Sequence, residues 1–200
     1  MNLKLLALVL LICYSVNGQE FPEKAEDISP LLIGEKFPKA SLLDSKGQEV
    51  LLNKLIKQKP TVLIFYRGGW CPYCNQQLAS LAEAESQIID LGYQIIAISP
   101  DDYSVLKPSI DDNKVTYLLF SDAGAKLIQE VGIGFKTPGM AKMYIKKKTK
   151  IDATEVLPVP TVMVVNTSGE ILFEYINPNY KQRISEDLLI SALKSLKTKL

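Results

Sequence analysis

The chain has 200 residues and contains no histidine, one tryptophan, three cysteines, and only two arginines among its 23 basic residues. The missing histidine removes Ser-His and Cys-His nucleophile pairs, the usual catalytic zinc sites and the commonest general base together. Any catalysis must therefore rest on other groups. The 23 basic residues nearly cancel 22 acidic ones, so charge points to neither a nucleic acid nor a membrane surface as partner. There is no internal repeat and no low-complexity linker. With 47% apolar residues the chain can bury one real core but is short for two.

The first stretch, MNLKLLALVLLICYSVNGQE, has Lys4, an apolar run from Leu5 to Val16, and Val16-Asn17-Gly18 as a small-residue cleavage site. It reads as a secretory signal peptide over residues 1–18, cut near Gly18-Gln19. The competing reading is a membrane anchor, but the run is shorter than the ~20 apolar residues a spanning helix needs. Lipidation at Cys13 would want small residues where bulky Leu11 and Ile12 stand. The expectation is an exported protein, periplasmic or secreted, with no stable membrane insertion after cleavage. Cys71 and Cys74 are then the mature cysteines. Residues 19–33 read as a polar lead-in and 34–200 as the single domain.

Within that domain, Asp44-Ser45-Lys46-Gly47 is a turn signal between apolar stretches, which predicts a β-hairpin over 34–52. Thr61 to Tyr66 is a continuous β-branched apolar run, expected of a strand buried on both faces. From Asn75 to Leu91 apolar residues recur at helical spacing, and Gly92 follows as a C-terminal glycine. Tyr93–Ser99 and Val115–Phe120 read as further strands, with a mostly helical connection over 101–113 and a short helix over 123–131. This alternation predicts an α/β fold, a central mixed, mostly parallel sheet flanked by helices. Residues 132–156 read as a partly helical insertion whose lysines, Lys142, Lys146, Lys147, Lys148 and Lys150, are solvated. Thr161–Val165 and Ile171–Tyr175 flank a turn at 166–169 and predict an antiparallel hairpin. Ser185 caps a last helix with Leu188, Leu189, Ala192, Leu193 and Leu196 on its apolar face.

The segment Arg67-Gly68-Gly69-Trp70-Cys71-Pro72-Tyr73-Cys74 sets two thiols three residues apart at the start of a helix. Unpaired N–H groups in a first helical turn favour thiolate over thiol. In such motifs a thiol pKa falls from about 8.5 to roughly 3.5–7.5. Pro72 suits the first turn, where a missing N–H costs nothing. A structural disulfide across so small a loop would add little stability. Zinc wants four ligands, which two cysteines and no histidine do not supply. The pair therefore reads as a redox dithiol, with no metal and no cofactor. Arg67 stands beside it, able to stabilise a thiolate and orient an oxygen-bearing substrate, or else an ordinary surface side chain. Arg183 reads as a surface arginine. Val159-Pro160-Thr161 opens a buried strand, and the isomer of its proline bond is open.

Together, FYRGGWCPYC, ISPDD, FSDAGAKLIQEVGI, LPVPTVMVVNTSGEI and NPNYKQR resemble the peroxiredoxin-like branch of the alkyl hydroperoxide reductase and thiol-specific antioxidant superfamily. The resemblance covers about residues 34–196 and implies a thioredoxin-like fold. In the family pattern Pro-x-x-x-Thr-x-x-Cys, Cys74 falls on the peroxidatic cysteine, Cys71 on the Thr and Arg67 on the Pro. The family's distant arginine is expected near Thr161, where Val159-Pro160 stands. Two chemistries follow. As a peroxidase, Cys74 attacks a hydroperoxide, Cys71 resolves the sulfenic acid as a Cys71–Cys74 disulfide, Arg67 polarises the peroxide, and a thioredoxin-like protein reductant restores the pair. As a thiol:disulfide oxidoreductase, Cys71 attacks a protein disulfide and Cys74 resolves, with Trp70, Pro72, Pro160 and Thr161 shaping the groove.

Overall fold

The structure is a computed structural model that describes residues 21–197. The signal-peptide reading and Cys13 lie outside the described residues.

The hairpin forms where its turn sequence stands, as β1 (Ser41–Leu43) and β2 (Glu49–Leu51). Asp44 closes it, accepting the backbone N–H groups of Lys46 and Gln48 at 2.8 and 2.9 Å. A short helix α1 (Leu52–Gln58) leads to β3 (Thr61–Phe65), buried along its whole length. The dithiol loop and helix α2 (Pro72–Asp90) follow, then β4 (Gln94–Ser99), α3 (Leu106–Asp112), β5 (Leu118–Ser121) and α4 (Lys126–Glu130). Strands β6 (Gly134–Lys136) and β7 (Val156–Pro158) enclose helix α5 (Gly139–Thr149). The chain ends with β8 (Thr161–Val165), β9 (Ile171–Ile176) and α6 (Glu186–Leu196).

The main sheet has the order β2-β1-β5-β4-β3-β8-β9. It is mixed, as expected, but not mostly parallel. Only β3–β4 and β4–β5 pair in parallel, whereas the hairpins at both edges and the β1–β5 and β3–β8 pairings are antiparallel. Alternation along the buried strands divides the core in two. Val62, Ile64 and Tyr66 face α2 and α6 across Leu78, Leu81, Leu189 and Leu193. Leu63 and Phe65 point the other way, to α1 and α4 through Leu52, Ile56, Leu127 and Ile128. Such period-two alternation is what pleating imposes when both faces are covered.

Four local expectations need correction. The strand read from Val115 begins only at Leu118, because the Val115 N–H closes back on the Ile110 carbonyl at 3.0 Å and Lys114 takes a positive φ of 52°. The helix read from Ala123 begins at Lys126, after Ala125 in a left-handed conformation. Its first N–H groups are taken by the Asp122 carboxylate, from Leu127 at 3.3 Å and Ile128 at 2.9 Å. The insertion over 132–156 holds a helix but also two strands, which pair as a small antiparallel sheet. In α6, Leu188 is 51% exposed, and Ile190 takes its place in the core. The lead-in is docked on the domain, with Leu31 N–H bonded to Val131 O and Lys136 N–H to Pro22 O.

Candidate active site

The dithiol sits where a fully buried strand must turn into a long helix. Gly68 makes that turn at φ 136°, and its open side is filled by Trp70 Nε1 and by Asp101 Oδ1, which would stand 2.5 Å from any added Cβ. The next residue is anchored from the neighbouring strand: Gly69 N–H donates to Asp101 Oδ2 at 2.7 Å. Asn75 reaches back from α2 to the Gly69 carbonyl at 2.9 Å. Cys71 is the N-cap of α2 and Pro72 its first residue. The amides of Cys74 and Asn75 close on the Cys71 carbonyl at 3.0 and 3.1 Å. The helix thus begins on the first cysteine and brings the second one turn later onto the same buried face.

Both cysteines are buried free thiols. Their environments push them apart. The Cys71 thiol is drawn down to about 6, first by the hydrogen bond from the Cys74 thiol, then by the Cys74 backbone N–H and by the charges of Arg67 and Arg183, against the opposing effect of burial. The Cys74 thiol is pushed well up by burial and by the sulfur and charge of Cys71. The opposed directions favour loss of the first proton from Cys71, with the Cys74 thiol as its hydrogen-bond donor.

The chain's two arginines both converge on this pair. Arg67 is 8% exposed, and its guanidinium carbon lies 5.0 Å from the Trp70 ring centroid and 4.4 Å from that of Tyr180. Stacking between two aromatic faces fixes a guanidinium, and its charge acts on Cys71. Arg183 is not the surface side chain its sequence context suggested. Its Nη2 lies 3.4 Å from Cys74 Sγ, and its Nη1 donates to the Tyr180 and Gln182 carbonyls. The segment after β9 folds over the dithiol, and Tyr180 meets Tyr73 edge-on at 5.8 Å. The second guanidinium at the dithiol thus comes from the loop after β9 and not from the strand that begins at Thr161.

Trp70 and Pro72 line a cavity of about 630 Å³ together with Gly69, Asp101 and Tyr144. A second, of about 200 Å³, opens between Arg67, Trp70 and Asp101 on one side and Ile145 and Leu157 on the other. Pro160 and Thr161, expected in the groove wall, line neither cavity. Both are buried, with Thr161 Oγ1 turned onto the Val159 carbonyl at 2.9 Å and the Pro160 carbonyl covered by Asn177 N–H at 3.2 Å. No peptide bond among the described residues is cis, the Val159-Pro160 bond included. Thr161 instead pairs with Phe65 at the end of β3, in the interior of the sheet and next to the loop that carries the dithiol.

Asp101, which lies in the ISPDD segment and carries no local signal of a site role, anchors the loop and lines both cavities. Burial raises its carboxyl to about 7, opposed by the Gly69 N–H and Ser99 and reinforced by the charges of Cys71 and Asp102. Tyr66, buried beneath the pair, faces Asp101, Ser99 and Cys74, and its hydroxyl is held well above the usual tyrosine range by that burial. The arrangement suits a thiolate that breaks an O–O or S–S bond and a second thiol that closes on the product.

The AhpC/TSA family pattern matches residues 33–173. A chloroplastic peroxiredoxin Q of Suaeda salsa is 32% identical over 110 residues, which cover 55% of this chain and 51% of that protein. A putative peroxiredoxin bcp of Haemophilus influenzae is 26% identical over 117 residues, 58% of this chain and 75% of that one. The chain thus spans about half the length of the chloroplastic relative. Among solved structures, reduced Prx3 of Vibrio vulnificus in complex with hydrogen peroxide has a TM-score of 0.70 at 17% identity, covering 82% of this chain and 99% of that one. The likeness establishes a shared thioredoxin-like fold.

Proposed function

This chain belongs to the AhpC/TSA family, and we propose that it is a thiol-dependent peroxidase whose Cys71–Cys74 pair reduces hydroperoxides and is restored by an external dithiol protein. The observation that carries the proposal is the convergence of both arginines on the pair, with Arg183 Nη2 3.4 Å from Cys74 Sγ. Peroxide cleavage places negative charge on sulfur before attack and on the leaving oxygen after it, and fixed guanidinium donors stabilise both.

In this reading the Cys74 proton moves to Cys71, and the charge passes to Cys74 beside Arg183. Cys74 then attacks one peroxide oxygen and becomes a sulfenic acid. Cys71 displaces the hydroxyl to give the disulfide, and the reductant returns two electrons and two protons. Arg67, held beside the smaller cavity, orients the peroxide, while Trp70 and Pro72 shape the approach. Export with loss of residues 1–18 is part of the proposal, supported by the basic, apolar and small-residue order of the N-terminus. In an oxidising compartment the pair would rest as a disulfide between turnovers, so a dedicated reductant is required.

A second reading rests on one observation. The thiol drawn down to about 6 is Cys71, the first of the pair, and a thiol:disulfide oxidoreductase uses that sulfur to attack a protein disulfide. Hydroperoxide consumption by the reduced protein, coupled to a dithiol reductant, distinguishes the two. The peroxidase predicts turnover that disappears in Cys74→Ser, with single oxidation of Cys74 retained in Cys71→Ser. Oxidation no faster than that of free cysteine, with rapid reduction of a protein disulfide, would replace it with the second reading.

A further inference from the structure

The proton inventory of the reduced pair is one short. Reducing ROOH to ROH and water while closing a disulfide takes two protons, one for each oxygen that leaves. A pair holding one thiolate and one thiol supplies a single proton, whichever sulfur attacks. The second proton comes from solvent or from a donor at the site, and the chain has no histidine to serve.

We propose that Asp101 is that donor, a catalytic acid that protonates the oxygen leaving in peroxide cleavage, and the inference rests on the peroxidase reading above. Its position is built for the task. The side chain comes from two residues past the end of β4, is 9% exposed, and is held by the Gly69 N–H at 2.7 Å on the very loop that carries the dithiol. Its main chain is fixed as well, the N–H directed at Ser99 Oγ at 3.4 Å and the carbonyl accepting Ser121 Oγ at 2.6 Å. It lines the smaller cavity beside Arg67 and Trp70 and the larger one beside Trp70 and Pro72. A peroxide entering the smaller space thus meets both the Arg67 guanidinium and the Asp101 carboxyl, and one entering the larger meets the carboxyl.

The groups around Asp101 set when it carries its proton. Cys71 on the dithiol loop, Tyr66 just after β3 and Asp102 beside it all face it, Arg67 shares the smaller cavity with Asp152, and Asp112 and Lys148 stand in the wall of the larger one. Burial and the Cys71 charge hold the carboxyl protonated up to about 7. A general acid works best when its midpoint lies near the working pH.

The step balances. One sulfur anion forms an S–O bond as the O–O bond breaks, the Asp101 proton passes to RO⁻ to give ROH, and the sulfur is oxidised to sulfenic acid. The remaining thiol then forms the S–S bond, and its proton leaves with the hydroxyl as water. The Asp101 carboxylate regains a proton from solvent through the cavity.

The test is the dependence of single-turnover oxidation on the leaving group, in wild type and Asp101→Asn, which keeps an acceptor for the Gly69 N–H. With an alkyl hydroperoxide, whose leaving alkoxide is strongly basic, the variant should lose about 10²–10³ in rate. With a peracid, whose leaving carboxylate needs no proton, the loss should stay under about threefold. In wild type alone, the alkyl-hydroperoxide rate divided by the peracid rate should fall as pH rises through about 7, and this ratio cancels the titration of the thiols and needs no variant. Equal losses with both peroxides, or a ratio flat with pH, would overturn the assignment. Slow oxidation of wild type by every peroxide would instead overturn the peroxidase reading on which it rests.

Discussion

Arg183 and Cys74 lie 109 positions apart in sequence and 3.4 Å apart in space, guanidinium Nη2 to sulfur. This contact links the last loop of the fold to the first turn of α2, and it puts a charge where the more deeply held thiol must ionise. A charge-assisted hydrogen bond of this kind contributes about 1.5–3 kcal/mol. Arg183→Ala should therefore slow peroxide oxidation roughly 10- to 100-fold. Arg183→Lys should recover only part of that, because an ammonium cannot hold the Tyr180 and Gln182 carbonyls and the sulfur with one planar fork. Stopped-flow rates for the two variants check this. Equal rates for wild type and Arg183→Ala would remove the guanidinium from the mechanism.

The pair should lose one proton with a midpoint near 6, read as ultraviolet thiolate absorbance during a pH titration of the reduced protein. Because the leading cause is the hydrogen bond from Cys74, Cys74→Ala should move the midpoint of Cys71 upward, toward that of an ordinary thiol. A midpoint unchanged in Cys74→Ala would assign the effect to the arginines and the helix terminus instead.

Much of this site was legible in the sequence, and the parts that were not have a common cause. Cys71, Cys74, Arg67, Trp70 and Pro72 lie within one short segment, where local rules about helix starts and thiolates apply directly. Tyr180, Arg183 and Asp101 act through the fold: each reaches the dithiol from a distant segment that becomes its neighbour only when β4 and β9 join the sheet. The scarcity of arginine was a usable signal, since a chain that otherwise relies on lysine places both of its guanidinium groups at one site. The sheet showed the same division. The continuous apolar runs of β3 and β4 announced buried strands, but β6 and β7, three residues each, are too short for any periodicity to register. The likeness to a thioredoxin-type site implies that Pro160 borders a groove, and the chain's own β9 end covers it instead.

Tyr180 should matter through its ring. Its centroid lies 4.4 Å from the Arg67 guanidinium carbon, an interaction of about 0.5–2 kcal/mol. Tyr180→Phe should keep peroxide reduction near the wild-type rate, whereas Tyr180→Ala should weaken it several-fold with the fold retained, as steady-state assays and thermal melts would register. A loss in the Phe variant equal to that in the Ala variant would point to the hydroxyl rather than the stack.

Gly68 has no room for a side chain. At φ 136°, with Trp70 Nε1 and Asp101 Oδ1 on its open side, Gly68→Ala should cost about 1–3 kcal/mol in stability. It should also disturb the loop that carries both sulfurs. Urea unfolding and the thiolate titration together check this, and a variant with wild-type stability and midpoint would contradict it.

Burial of Asp122 also gives stability a pH dependence. Its carboxyl is raised from 3.8 to about 6 in the folded protein, chiefly by burial. A raised folded-state value favours folding below the unfolded-state value and loses that advantage as pH rises through about 6. The stability difference between Asp122→Asn and wild type should therefore shift in favour of the variant, by up to about 3 kcal/mol, as pH rises from 3.8 to above about 6. Urea unfolding at several pH values measures it, and a difference that stays constant or moves the other way would contradict the burial of a neutral carboxyl.

The central claim, that the dithiol is a peroxide-reducing centre, is tested most directly by rapid mixing of the fully reduced protein with a hydroperoxide, followed by quenching and mass analysis. The account predicts fast consumption of one equivalent of peroxide per chain, far above the rate of free cysteine, ending in a disulfide between Cys71 and Cys74. Oxidation at the free-cysteine rate, or sulfenic acid that accumulates on either sulfur without closing to that disulfide, would contradict it.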